Sequence, residues 1–275
     1  MAKNITLFGT DYENVPAIVV PQTSGGTAKF TDTSGVTATA ADVVSGKTIV
    51  LADGTTATGT YSGGNSINIF PYLYTAASIF RNSTLPTGNF TIDFENHYPA
   101  SMQEIFYGAT INGKLIIKNL SHPENAGISF SGAFRNFTVS ELELVNCNLV
   151  PSNVSNMFRD KSVTNISGGK VDMSYCTGSP LESSSYMQNI EFVENSIHAD
   201  FSLYMCRNLT LKSLISIANG LNAENSFKLT ISYSNLNSKF QTLGNNDNGT
   251  FVENENGTMT LESFITTVKG WTIQT

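Results

Sequence analysis

Three carboxylates, Glu143, Asp172 and Glu191, come nearest in type and spacing to a binding site in this sequence. Each is the middle residue of a short alternation: Leu142-Glu143-Leu144, Val171-Asp172-Met173 and Ile190-Glu191-Phe192. Alternation of period two turns the flanking apolar residues inward and the middle one outward. Parallel strands stack about 4.8 Å apart, so on neighbouring strands the three would form an acidic column. Like charges placed opposite each other repel unless water, salt or a ligand screens them. The chemistry expected of such a column is capture of a divalent cation or of a basic group on a partner. A solvated acidic face is the plainer reading of the same residues.

Other candidate sites are weaker. Gly244-Asn245-Asn246-Asp247-Asn248-Gly249, followed by Glu255, places oxygen ligands at Asn246, Asn248 and Glu255 as a helix-loop-helix calcium site would. Its first position is Gly244 rather than Asp, so a mobile polar loop turning at Asn248-Gly249 and Asn256-Gly257 is the preferred reading. Cys147, Cys176 and Cys206 lack Cys-x-x-Cys spacing and read as packed thiols. His97, His122 and His198 are scattered, and Gly127-Ile128-Ser129-Phe130-Ser131-Gly132 has the wrong spacing for a nucleophile elbow. Gly168-Gly169-Lys170 lacks the pattern of a phosphate loop. No metal site, catalytic set or cofactor is expected.

The elements that must position the carboxylates are legible as a degenerate repeat. Ile79-Phe80-Arg81-Asn82, Ile105-Phe106-Tyr107-Gly108, Ala133-Phe134-Arg135-Asn136 and Met157-Phe158-Arg159-Asp160 share one design. Tyr186-Met187-Gln188-Asn189 and Tyr204-Met205-Cys206-Arg207-Asn208 continue it, at spacings of about 18 to 29 residues. After each comes an alternating segment: Phe90–Phe94, Leu115–Asn119, Leu142–Asn146, Val171–Tyr175, Ile190–Glu194 and Leu209–Leu211. One short strand per 20 to 29 residues is the signature of a leucine-rich-repeat solenoid, whose rungs share one continuous core. The outward residues are then Thr91, Ile116, Glu143, Asp172, Glu191 and Thr210. Asn119 and Asn146 are expected to satisfy backbone groups where the chain leaves each strand. Most of the 17 Phe should be core, while Tyr72, Tyr74, Tyr98 and Tyr107 gather near the first rungs.

Around the repeat lie two different textures. Residues 1–62 are dense in turn signals and poor in apolar runs. Asp53-Gly54 predicts a hairpin, Ala40–Val44 a helical turn, and Ser62–Ser66 a flexible linker. Residues 66–210 form the solenoid. Residues 211–275 form its mixed α/β end, with helices over Ser213–Leu221 and Leu261–Lys269 and strands over Phe227–Tyr233 and Trp271–Ile273. The fold expected is mainly β with short helices: a small N-terminal β arm, an irregular leucine-rich-repeat solenoid and a C-terminal cap. Charged residues are 13% of the chain against about 25% in average proteins. The net charge of −7 argues against binding nucleic acid or anionic membranes. No apolar run reaches the ~20 residues of a membrane helix. Met1-Ala2-Lys3-Asn4 does not open like a secretory signal.

Two resemblances follow from these residues. The repeat, with Met157-Phe158 as its intact pair, resembles the irregular leucine-rich repeats of bacterial surface antigens. Residues 4 to 64 resemble the opening of structural proteins from phages and prophages of Gram-positive bacteria. The phrases that carry this are Asn4–Gly9, Asp11–Ala17, Ser24–Phe30, Thr37–Lys47, Ala52–Gly54 and Thr58–Gly64. Lys269-Gly270-Trp271-Thr272-Ile273 resembles the close of leucine-rich-repeat phage proteins. The resemblance implies a virion protein assembled in the host cytoplasm, tail- or baseplate-associated and engaged in host adhesion. Residues 1–62 would join other virion proteins, a host surface protein or glycan would be the target, and a homo-oligomer, guessed as a trimer, would carry it. A head fibre or decoration protein, a bacterial surface adhesin and a wall-polysaccharide enzyme are the alternatives, in that order.

Overall fold

The computed structural model describes residues 3–7, 9–15, 18–23, 25–30, 48–51, 55–58, 65–68, 75–160, 163–224, 226–232 and 234–275. The Ala40–Val44 turn, the Asp53-Gly54 turn, Ser62–Gly64, Tyr72 and Tyr74 lie outside these residues. The chain divides into two compact units, Met1–Gly64 and Asn65–Thr275.

Among the described residues the first unit holds three antiparallel pairs. Strand β1 (Lys3–Leu7) pairs with β2 (Thr10–Val15), and β3 (Ile18–Pro21) with β4 (Thr27–Phe30). The third pair is β5 (Thr48–Val50) with β6 (Thr56–Thr58). Gly9 (φ +78°) turns the first pair, while Gly25 (φ +84°) and Gly26 (φ +87°) turn the second. These are backbone conformations that a side chain resists.

The second unit is mainly β with a few short helices, and its body is a β-solenoid of about five turns. One face is a parallel five-stranded sheet. Its members are β7 (Asn65–Asn68), β8 (Phe90–Asp93), β9 (Lys114–Lys118), β11 (Glu141–Val145) and β13 (Ile166–Ser167). Asn65 and Ser66, expected in a linker, are therefore part of the first strand. Alternation explains the sheet: Leu115 and Ile117, then Leu142 and Leu144, are buried between half-exposed neighbours. A second parallel pair, β10 (Ile128–Ser129) with β12 (Pro151–Asn153), lies on another side of each coil. Single bridges linking Thr84, Thr110 and Thr138 mark a third.

The repeated aromatic fills the coil between these sides. Phe80 and Phe106 stack at 5.2 Å, Phe106 and Phe134 at 6.0 Å, and Phe134 and Phe158 at 5.4 Å, with interplanar angles of 11–13°. The turns carrying them are hydrogen-bonded rung to rung, Phe106 N–H to Ala133 O at 2.9 Å and Phe134 N–H to Met157 O at 3.0 Å. The next residue of each repeat faces out. The guanidinium groups of Arg81 and Arg135 lie 4.8 and 5.4 Å from the ring centroid of Tyr107. Arg81 also reaches Glu104 at 2.7 Å, and Arg135 reaches Asp160 at 3.1 Å. The column staples four successive turns from outside while the phenylalanines stack within.

Asn119 and Asn146 do not serve the backbone as expected. Both adopt the left-handed conformation (φ +51° and +55°), which Asn tolerates better than most residues. Their amides pair with one another, Asn146 Nδ2 to Asn119 Oδ1 at 3.3 Å and Asn119 Nδ2 to Asp93 Oδ1 at 2.9 Å. With the Glu95 N–H, the chief cause, this holds the Asp93 carboxyl below its ordinary value.

Beyond residue 200 the coil changes. Strand β14 (Phe201–Ser202) pairs in parallel with β15 (Lys228–Thr230), which pairs with β19 (Thr272–Gln274). Leu209–Leu211, expected as a strand, instead starts helix α1 (Leu211–Gly220), because Thr210 Oγ1 accepts from the Ser213 N–H. An unforeseen helix, α2 (Ser234–Phe240), follows β15. The stretch read as a mobile loop is a hairpin, β16 (Leu243–Asp247) with β17 (Thr250–Glu253), turning at Asn248-Gly249. Strand β18 (Met259–Thr260) joins β16. The last helix is split between α3 (Leu261–Ser263) and a π-helical turn, Phe264–Val268. Trp271 is buried and donates Nε1–H to Asn222 O at 2.6 Å. Lys269 is buried beside it and donates to Asn195 Oδ1 at 2.7 Å and Asn219 O at 3.3 Å.

Candidate functional site

On the outer face of the five-stranded sheet, Thr91, Ile116 and Glu143 stand side by side as expected. The next neighbour of Glu143 is Ser167, not Asp172. A bridge between Asn165 and Asn189 carries the register on, so that Glu191 follows Ser167. Asp172 belongs to another ladder, in which Val171 bridges Leu149 and Phe192. The acidic column is therefore interrupted. That coil contains two alternating segments, and the shorter one, Ile166–Ser167, is the one that joins the sheet.

Each carboxylate already has a partner within the chain. Lys114 reaches across one rung to Glu141 at 2.7 Å and Glu143 at 3.5 Å. Glu191 pairs with Lys212 of α1 at 2.5 Å. Asp172 Oδ1 accepts from the Ser174 N–H and Oγ–H at 3.0 and 2.6 Å, closing a local turn. Hydrogen bonding from Lys114, and then from Ser167, holds the Glu141 carboxyl below its usual range, and the bond to Glu141 raises Lys114. Lys114, Glu141 and Lys212 were not singled out from the sequence. The parallel register sets Lys114 opposite Glu141, and the start of α1 brings Lys212 to Glu191.

Glu141, Glu191 and Lys212 frame a groove of about 460 Å³, whose lining also includes Asn165, Ser167 and Gly168. Gly168 (φ +78°) is required there, because a Cβ would stand 2.2 Å from Leu144 O. Asn189 Nδ2 donates to Asn165 Oδ1 at 2.6 Å, and Thr210 Oγ1 donates to Asn189 Oδ1 at 2.9 Å, a second polar ladder at the start of the strands. At its far edge α1 takes the place of a strand. Ser213 Oγ and Ser216 Oγ accept from the Ile190 and Phe192 N–H groups at 2.9 and 2.8 Å. The groove thus presents paired charges and amides over an apolar sheet, a surface for recognition through hydrogen bonds.

The remaining sequence candidates are dispersed. Asn246 lies in β16, where alternate side chains diverge, and its Oδ1 accepts from the Gly249 N–H at 2.9 Å. Asn248 sits in the turn and Glu255 beyond β17, so the hairpin does not assemble the ligand set of a calcium loop. Among the described residues no group of three or more His, Cys, Asp or Glu could hold a metal ion. His97, His122 and His198 each turn Nδ1 to a backbone carbonyl: Phe94, Pro123 with Ala126, and Ser196. Burial raises the Cys147 thiol and pushes Cys206 up to about 12, and Cys206 Sγ contacts Leu181 O at 2.8 Å. Tyr98 is exposed, whereas Tyr107 is covered by Arg81 and Arg135. No helix among the described residues is long and apolar enough to cross a membrane.

The fold and this face define a β-solenoid whose sheet surface is polar and internally charge-paired. No family model, curated protein or solved structure matches the chain.

Proposed function

We propose that this chain is a virion structural protein of a phage or phage-like particle, tail- or baseplate-associated and adhesive. The observation that carries the reading is the division at Gly64/Asn65 between a unit of two-stranded hairpins and a solenoid with a continuous core. A lone two-stranded sheet is marginally stable, so the hairpin unit suits a segment ordered by burial on other virion proteins. The phage-like phrase order of residues 4 to 64 supports the same role. The solenoid is the projecting part, an irregular leucine-rich repeat closed by residues 211–275 as a cap, and it displays polar side chains to a surface. Function here is binding rather than catalysis.

Immunogold labelling of intact particles with antibody to the chain tests this reading. Gold at the tail tip or baseplate is the expected image. Gold on the head moves the assignment to a head fibre or decoration protein, and unlabelled particles overturn it. Removal of residues 1–64 is expected to abolish incorporation while leaving the far-ultraviolet spectrum of the solenoid intact.

A further inference from the structure

The turn side of the solenoid carries a second groove, opening where the phenylalanine stack ends. It measures about 430 Å³ and lies between the coil of Ser152–Asn156 and the coil of Cys176–Glu182. A smaller depression continues it, sharing Asn156, Ser179 and Glu182 and adding Arg159 to the wall. The combined size is within the range of small-molecule sites, about 300–1,000 Å³.

Its polar groups differ from those of the sheet face in being unspent. The Ser152 and Thr177 hydroxyls and the Glu182 carboxylate make no hydrogen bond or ion pair with any described residue. Ser179 Oγ accepts from the Ser202 N–H at 2.7 Å, which leaves its own proton to donate outward. Asn156 Oδ1 accepts from Arg159 at 3.2 Å, and one of its two amide protons remains to donate. The groove therefore offers hydroxyl donors and acceptors, an amide donor and one carboxylate, with Val154 buried beneath them. A carboxylate accepts from two adjacent hydroxyls and repels an anion.

We propose that this groove binds a neutral saccharide. Ser152, Asn156, Thr177 and Ser179 hydrogen-bond its hydroxyls, and Glu182 accepts from a vicinal pair. The assignment supplies a ligand class for the adhesive reading and rests on it. Particle labelling does not depend on sugar binding, so either result can fail alone.

The test uses the full chain with cellobiose, maltose and diacetylchitobiose as probes, read by saturation-transfer NMR and titration. At least one should bind, with Kd on the order of 1 mM for so open a site. Glu182→Ala and Thr177→Ala should each weaken it, Glu182→Ala by at least about 10-fold, the worth of a single one of its two hydrogen bonds. Both variants should melt as the wild type does, since neither side chain has a partner among the described residues. Three outcomes overturn the proposal: no saturation transfer from any probe, binding unchanged in both variants, or preference for digalacturonate over all three.

Discussion

Residues 75–160 and residues 163–275 are built on the same coil, yet they hold together differently. In the first stretch every coil supplies a phenylalanine to one stack and a charged or aromatic residue to one outer column. In the second the stack stops. Ser184, fully buried at the place Ala133 and Met157 hold in the preceding turns, donates its hydroxyl to Phe158 O at 2.6 Å, and Ser185 follows where those turns carry a phenylalanine. A helix then replaces a strand, and hydroxyls from Ser213 and Ser216 take over the sheet's next hydrogen bonds. Repetition gives a coil filled by stacked rings, whereas the groove at Ser152–Glu182 opens where it ends. The difference teaches that polar groups without internal partners among the described residues gather where the last regular coil meets the first irregular one.

The strongest way to break the regular stretch is Phe134→Ala. The ring is fully buried between two others, so its removal leaves a cavity and should cost about 3–5 kcal/mol in denaturant unfolding. A loss under about 1 kcal/mol would mean that the stack is incidental to stability.

In the irregular stretch the corresponding change, Ser184→Ala, should cost less, about 1–2 kcal/mol. It removes the hydroxyl's hydrogen bond to the Phe158 carbonyl but little volume. A cost equal to that of Phe134→Ala would erase the contrast between the two regions.

Lys269 sharpens the comparison through pH. Burial holds its ammonium below the ordinary value of 10.5, with Glu194 opposing that shift. Between the lowered folded value and 10.5 the unfolded chain binds a proton that the folded chain has released. Stability attributable to Lys269 therefore rises with pH across that window and is flat below it. Melting curves of wild type and Lys269→Met should differ most in slope there, since titration of the tyrosines is common to both. Parallel curves would show that the ammonium is hydrated in the folded protein.

The smallest effect is expected on the sheet face. Glu143→Gln, Asp172→Asn and Glu191→Gln together should lower stability by at most about 1 kcal/mol, because half-exposed ion pairs contribute little. Calcium should leave both melting temperatures unchanged. A rise in stability of the triple variant, cancelled by calcium in the wild type, would restore the acidic column.

Much of the solenoid was legible in the sequence because burial imposes a periodicity that single residues report. The alternation of Leu115, Ile117, Leu142 and Leu144 gave the strands. The recurrence of Phe80, Phe106, Phe134 and Phe158 gave the coil length. What remained hidden was register. Leu209–Leu211 alternates like a strand, but the cap at Thr210 and the helical spacing after it prevail. Val171–Met173 alternates more convincingly than Ile166–Ser167, yet the latter joins the sheet.

The sequence by itself determined that apolar side chains would stack coil on coil and that residues 1–64 would be a different kind of structure. Only the tertiary structure decided which charges meet. Lys114 finds Glu141, Glu191 finds Lys212, and Asp172 finds neither. The physical reason is that neighbours in a parallel coil lie more than twenty residues apart. The length of every intervening bend therefore sets which side chains stand opposite, and no local pattern records that length.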